Sequence, residues 1–159
     1  MTADPAPASP SQAAPPRPED DAPATSDVRL SLPARAENVA VVRHVVSAVA
    51  EALELPKAVA DDMRLALTEA CTNVVRHAYG ERAGTLEVLV RQHADRLEVT
   101  VADDGRGLGT SPASTGPGLG LPLIAALADS LVIEHAPASG SRLLMHFNRR
   151  RTGPAVRAA

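Results

Sequence analysis

Three short stretches of this chain carry residue types that could do chemistry together. Glu69, Asn73 and His77 lie four residues apart in a segment of helical periodicity, which places them on one face of a helix. A carboxylate and an amide held one turn apart on a rigid rod can serve a metal ion and a proton transfer. The same triplet also suits a solvated helix face. The second stretch is Asp103-Asp104-Gly105-Arg106-Gly107-Leu108, directly after an alternating apolar run. A carboxylate at a strand end followed by two glycines lets backbone approach a ligand closely, because glycine lacks a Cβ and accepts positive φ. An ordinary Asp-Gly turn reads the same way. The third stretch is Gly116-Pro117-Gly118-Leu119-Gly120-Leu121, ahead of a helix whose first turn tolerates Pro122. A glycine-rich loop feeding a helix N-terminus offers free N–H groups and a positive dipole end to an anion. No Gly-Lys-Ser/Thr follows, so the Walker pattern is excluded. A loop rather than a strand precedes it, which excludes the dinucleotide fingerprint.

The elements that must position these residues follow from periodicity. Val28 to Leu32 alternates and predicts a short strand. Val39, Val42, Val46, Val49 and Leu53 step by three and four, the stripe of an amphipathic helix. Pro56 breaks it and opens a second helix reaching about Tyr79, with Val59, Met63, Ala66, Ala70 and Val74 buried and Gly80 as its C-cap. Cys71 falls near that buried stripe and reads as core. Two alternating runs, Leu86-Val88-Val90 and Leu97-Val99-Val101, meet at Ala94-Asp95 as a hairpin. A loop over 104–118 precedes a helix over about 119–129. Strands over about 131–136 and 142–148 close the order β-α-α-β-β-loop-α-β-β. Alternating strands suit a sheet covered on one face. The expected class is α+β, a two-layer α/β sandwich with a mixed, mostly antiparallel sheet and its helices on one face.

Composition limits the alternatives. The chain has 159 residues, 45% of them apolar, with no Trp, one Tyr and one Phe, so the core must be aliphatic. A formal charge of −3 and so few aromatic rings argue against a nucleic-acid surface. The single cysteine excludes an internal disulfide and a thiolate zinc cage, which suits a reducing compartment. No apolar run approaches the roughly 20 residues of a membrane span. The opening MTADPAPASP lacks the basic start and apolar stretch of a secretory signal, so the cytoplasm is expected. Residues 1–27 contain no Val, Leu, Ile, Phe or Tyr but half of the chain's 14 prolines. They read as a disordered Pro/Ala-rich tail, 28–148 as the folded domain and 149–159 as a flexible basic tail.

The order of the pieces is more specific than any one of them. Glu69-Ala-Cys-Thr-Asn73-Val-Val-Arg-His-Ala-Tyr79, then Asp103-Asp-Gly-Arg-Gly107, then Gly116-Pro-Gly-Leu-Gly120, then Gly140-Ser141 resembles the N box and three G boxes of the GHKL ATPase superfamily. The resemblance covers essentially all of 28–148. It is nearest to the bacterial anti-sigma factor serine/threonine kinases.

That resemblance implies a set of roles. Asp103 would accept a hydrogen bond from the adenine amino group, with Gly105 and Gly107 walling the base and ribose. Asn73 would help hold Mg²⁺, a hard cation that prefers oxygen ligands and keeps several waters. Glu69 would be the general base toward a serine or threonine hydroxyl, or toward water. Gly116, Gly118, Leu119 and Gly120 would form a lid whose amides meet the phosphates of ATP. Ser141 takes the place where the third box often has threonine, with a water-mediated role near adenine. The expected partners are a sigma factor, a STAS-domain anti-anti-sigma protein whose phosphorylation blocks its binding, and a second copy of the chain paired through the uncovered sheet face. One departure stands out: Leu108 to Gly118 contains no Lys or Arg. Kinases of this group commonly place a cation near the γ-phosphate, and Arg106 or Arg76 are the substitutes at hand. A non-catalytic ATP-binding module is therefore the competing reading. A histidine kinase catalytic domain is a third, for which residues 1–27 supply no phospho-accepting helix.

Overall fold

A computed structural model describes residues 27–106, 120–135 and 140–153. The element order is β1 (Asp27–Pro33), α1 (Ala36–Ala52), α2 (Lys57–Asn73), β2 (Thr85–Gln92), β3 (Arg96–Asp103), α3 (Gly120–Leu127), β4 (Ser130–His135) and β5 (Ser141–Asn148). The five strands form one sheet in the order β1-β2-β3-β5-β4. All four pairings are antiparallel, so the mixed sheet expected from the sequence narrows to a wholly antiparallel one.

Strand alternation decides which face is covered. Leu86, Val88 and Val90 of β2, Leu97, Val99 and Val101 of β3, and Leu143, Met145 and Phe147 of β5 are buried under the helices. Helix α1 supplies Val42, Val46 and Ala50, helix α2 supplies Val59, Met63, Ala66, Leu67, Ala70 and Cys71, and α3 supplies Ile124. The core is aliphatic apart from Phe147 and Tyr79, the chain's two aromatic residues, and both are buried. The opposite face carries three rows that cross the sheet. Leu89, Thr100, Leu144 and Val132 are register partners in the middle row, and charged residues flank them.

Two helix ends depart from a simple stop. Helix α1 closes with Leu55 N–H on Ala50 O and Glu54 N–H on Glu51 O, both at 3.0 Å. That pattern places Glu54 at φ +50, a left-handed position usually given to glycine. Helix α2 does not end at Asn73. Val74–Ala78 continue it as one wider π turn, and Gly80 at φ +62 then ends it. Past β5, Arg149 N–H donates to Asp95 O at 2.9 Å. Arg151 then reaches back to Asp62 on α2 at 2.7 Å and to Asp129 after α3 at 3.6 Å.

Candidate functional site

Glu69 and Asn73 sit half-buried on the last turns of α2. The first residue of α3 faces them. A methyl group placed at Gly120 would stand 2.6 Å from Glu69 Oε1, and 3.0 and 3.2 Å from the Asn73 amide nitrogen and oxygen. Glycine lets the N-terminus of α3 come this close with both side chains left where they are. The carboxylate, the amide and a helix start are therefore brought together. His77 is not brought along with them. The i→i+5 turn from Val74 to Ala78 interrupts the four-residue spacing, and His77 and Arg76 are both exposed. Cys71 is fully buried, and burial pushes its thiol up to about 12, which makes it inert core as expected.

The second cluster is the corner at the end of β3. Asp103 is 8% exposed, and each of its oxygens is engaged. Oδ1 accepts from Gly105 N–H at 2.9 Å, and Oδ2 accepts from the Ser141 hydroxyl. Asp103 and Ser141 are register partners across β3 and β5, which is why residues 38 apart in sequence meet. Gly140, at φ +83, lets β5 start there, since a Cβ on it would fall 1.8 Å from Asp103 O. Gly105 is equally constrained, because a Cβ would fall 2.2 Å from Ala78 O. The backbone of the corner is held from below as Arg106 N–H donates to that same carbonyl at 2.8 Å.

Sequence reasoning missed the residues that hold this corner. The Tyr79 hydroxyl accepts from Asp104 N–H at 3.1 Å, and lies against Thr85 O at 2.6 Å and the Asp104 carboxylate. Burial, and then the Asp104 carboxylate, push the phenol up to about 12. The hydrogen bond from Tyr79 holds Asp104 below the usual carboxylate range. The available signal was that Tyr79 is the chain's single tyrosine, five residues ahead of a glycine. Its ring lies so close over Gly84 that a Cβ there would be 2.0 Å from Tyr79 Cε1.

The family described as histidine kinase-like ATPase domain matches residues 32–147. The chain belongs to that family. Among its relatives are the serine-protein kinases RsbW of Bacillus mycoides (strain KBAB4), 36% identical, and of Bacillus thuringiensis subsp. konkukian (strain 97-27), 37% identical. The RsbW of Bacillus cereus (strain ATCC 10987 / NRS 248) is also 37% identical. Each alignment covers 68% of this chain and 77% of the relative.

An ATPase domain of this family must hold a nucleotide, and the donor sets present fit one. Asp103 is a buried carboxylate whose two bonded oxygens each retain a lone pair for an exocyclic amino group. Glu69 and Asn73 offer oxygen ligation and a base beside a helix N-terminus, the chemistry a magnesium–phosphate group requires. Gly107, Gly116, Gly118 and Leu119, also expected at the site, lie outside the described residues, as do 1–26 and 154–159 of the expected tails. Of the two arginines that could replace the missing lid cation, Arg106 packs its guanidinium against Gly80, past the π turn that extends α2. No helix among the described residues is long and apolar enough to cross a membrane.

Proposed function

We propose that this protein is a cytoplasmic, ATP-dependent serine/threonine protein kinase and anti-sigma factor. It sequesters a sigma factor and phosphorylates a STAS-type anti-anti-sigma partner, whose added charge then blocks its own binding. The observation that carries this reading is the pairing of two built clusters within a histidine kinase-like ATPase domain. One is the buried Asp103 corner, and the other is the Glu69–Asn73 face against Gly120. The serine-protein kinase name of the RsbW relatives supports the choice of acceptor.

Asp103 orients adenine through its exocyclic amino group, with Gly105 and Gly107 leaving room for the base and ribose. Ser141 holds the second Asp103 oxygen in place. Asn73 is the side chain that would hold Mg²⁺. Gly116, Gly118, Leu119 and Gly120 would offer amides to the phosphates. Bound MgATP supplies the phosphoryl group. Glu69 Oε1 accepts the proton of the incoming hydroxyl, and the rigid helix that carries it fixes the approach. A homodimer would form through the uncovered sheet face, where the Leu89–Thr100–Leu144–Val132 row offers an apolar strip between charged rows.

The test is transfer of labelled γ-phosphate from MgATP to candidate STAS-domain proteins. Label on a partner serine or threonine, lost in Glu69→Ala with ATP binding retained, is the expected result. The effect of that substitution should be about 10²–10⁴-fold on transfer. The absence of Lys and Arg from Leu108 to Gly118 favours the competing non-catalytic module. ATP binding with no transfer to any cognate partner would establish that reading instead.

A further inference from the structure

The nucleotide site has two ends on different parts of the chain. Glu69 and Asn73 belong to α2, and Asp103 belongs to the end of β3. Their relative placement must be fixed for one nucleotide to engage both. The link between them is short and local. The π turn that extends α2 leads directly to Ala78 and Tyr79, and both hold the corner that follows Asp103. Ala78 O takes Arg106 N–H at 2.8 Å. The Tyr79 oxygen takes Asp104 N–H at 3.1 Å and lies 2.6 Å from Thr85 O at the start of β2. It also bonds the Asp104 carboxylate. The Tyr79 ring lies in a slot over Gly84 that no other residue type would leave open.

We propose that Tyr79 is a positioning residue for nucleotide binding, whose hydroxyl locks the Asp103 corner to the helix that carries Glu69 and Asn73. Its aromatic ring is the spacer and its oxygen is the lock. The oxygen meets Asp104 on one side and Thr85 on the other, so it ties the ends of two strands to the end of one helix. Asp103 is the residue immediately before the bonded Asp104 N–H. Loss of the lock would let that peptide rotate and carry the adenine-reading carboxylate with it. Tyr79 itself touches no reacting atom, so the chemistry at Glu69 proceeds once a nucleotide is bound. The proposal rests on the adenine role given above to Asp103.

The experiment compares ATP, ADP and GTP binding by calorimetry in the unchanged protein and in Tyr79→Phe, which keeps the ring over Gly84 and removes the hydroxyl. Tyr79→Phe should weaken ATP and ADP binding about tenfold and narrow the ATP-over-GTP preference by a similar factor. The same variant should show a raised KM for ATP with kcat within about twofold in the transfer assay. Asp104→Asn retains the backbone donor and an acceptor oxygen, and should stay close to the unchanged protein. A Tyr79→Phe protein with lowered thermal stability but an unaltered ATP-over-GTP ratio would overturn the proposal, because a merely structural contact behaves that way. A fall in kcat at unchanged KM would overturn it too. If the unchanged protein shows no adenine preference, the Asp103 role fails at its source. If it does, and Tyr79→Phe keeps it, only the lock fails.

Discussion

At the Asp103 corner, atoms are pinned one by one. Both carboxylate oxygens are bonded, the next peptide is held by Tyr79, and Gly105 and Gly140 lie against backbone with no room for a Cβ. At the Glu69–Asn73 face, two side chains converge on Gly120, and the near neighbours are side-chain tips rather than main chain. On the proposed function the first end reads a fixed shape with polar groups that have no freedom to move. The second, on the same reading, admits a phosphate, an ion and a protein hydroxyl in turn, and it is held by the packing of α2 against α3. A rigid corner and a more adaptable face are thereby separated along one helix and its π extension.

Matched glycine substitutions give the largest expected contrast. In Gly105→Ala the new methyl meets Ala78 O at 2.2 Å, and main chain must move. That should cost about 3 kcal/mol of stability, roughly 10 °C in Tm, and abolish tight ATP binding. In Gly120→Ala the methyl meets Glu69 Oε1 at 2.6 Å, which a side-chain rotation relieves. Alanine also favours the helix, so Tm should stay within roughly 3 °C. Transfer should nevertheless fall about 100-fold, because the base is displaced. Equal losses of Tm in the two variants would erase the distinction between the ends.

Asp103→Asn probes the pinned end alone. Asparagine keeps an oxygen for Gly105 N–H, and its amide can donate to Ser141 Oγ, so the corner survives. What disappears is the second acceptor oxygen. The ATP-over-GTP preference should fall about 30-fold, near 2 kcal/mol, with little change in Tm. An unchanged preference in competition binding would remove Asp103 from adenine recognition.

One long-range contact ties α2 to the segment after α3. Arg151 is 8% exposed and bridges Asp62 to Asp129, residues that are themselves 24% exposed. Arg151→Met keeps the apolar stem and removes the charge. Water can reach the two abandoned carboxylates, so the expected cost is about 1 kcal/mol, with ATP affinity retained. A loss of transfer larger than the loss of stability would show that this strap positions Gly120 as well.

Much of this architecture is legible in the sequence, and the reasons are local. Strands β2, β3 and β5 alternate cleanly because one face is buried, and the α1 and α2 stripes lie where steps of three and four place them. Asp103, Gly105, Ser141, Glu69 and Asn73 stand out because their order along the chain is itself a pattern. The π turn does not, since Val74-Val75-Arg76-His77-Ala78 satisfies an α-helical reading equally well. Only the fold shows that the extra residue in that turn delivers Ala78 and Tyr79 to the corner. Arg151 is hidden for the same reason, because its partner Asp62 is 89 residues away. Contacts across such separations leave no periodicity to read.

The smallest effect tests the Tyr79 contact at the pH extremes. The chain has one tyrosine and no tryptophan, so phenolate absorbance reports this group alone. The folded-state value is raised from 10 to about 12. The folded protein therefore holds this proton more tightly than the unfolded chain. Its contribution to stability is full below about pH 10 and is lost as pH rises toward 12. Asp104 has the opposite sign. Its value is lowered by the Tyr79 hydrogen bond, so its contribution is present above the ordinary 3.8 and lost as pH falls below it. Between these limits the contact gives no slope, and stability at neutral pH should be flat with respect to both groups. In the folded protein, phenolate should appear only near pH 12. Asp104→Asn should bring it lower, because the carboxylate that opposes ionisation is gone. A folded-state titration at the ordinary value of 10 would mean that the hydroxyl is not held as described. The link between the two ends of the site would then lose its fixed point.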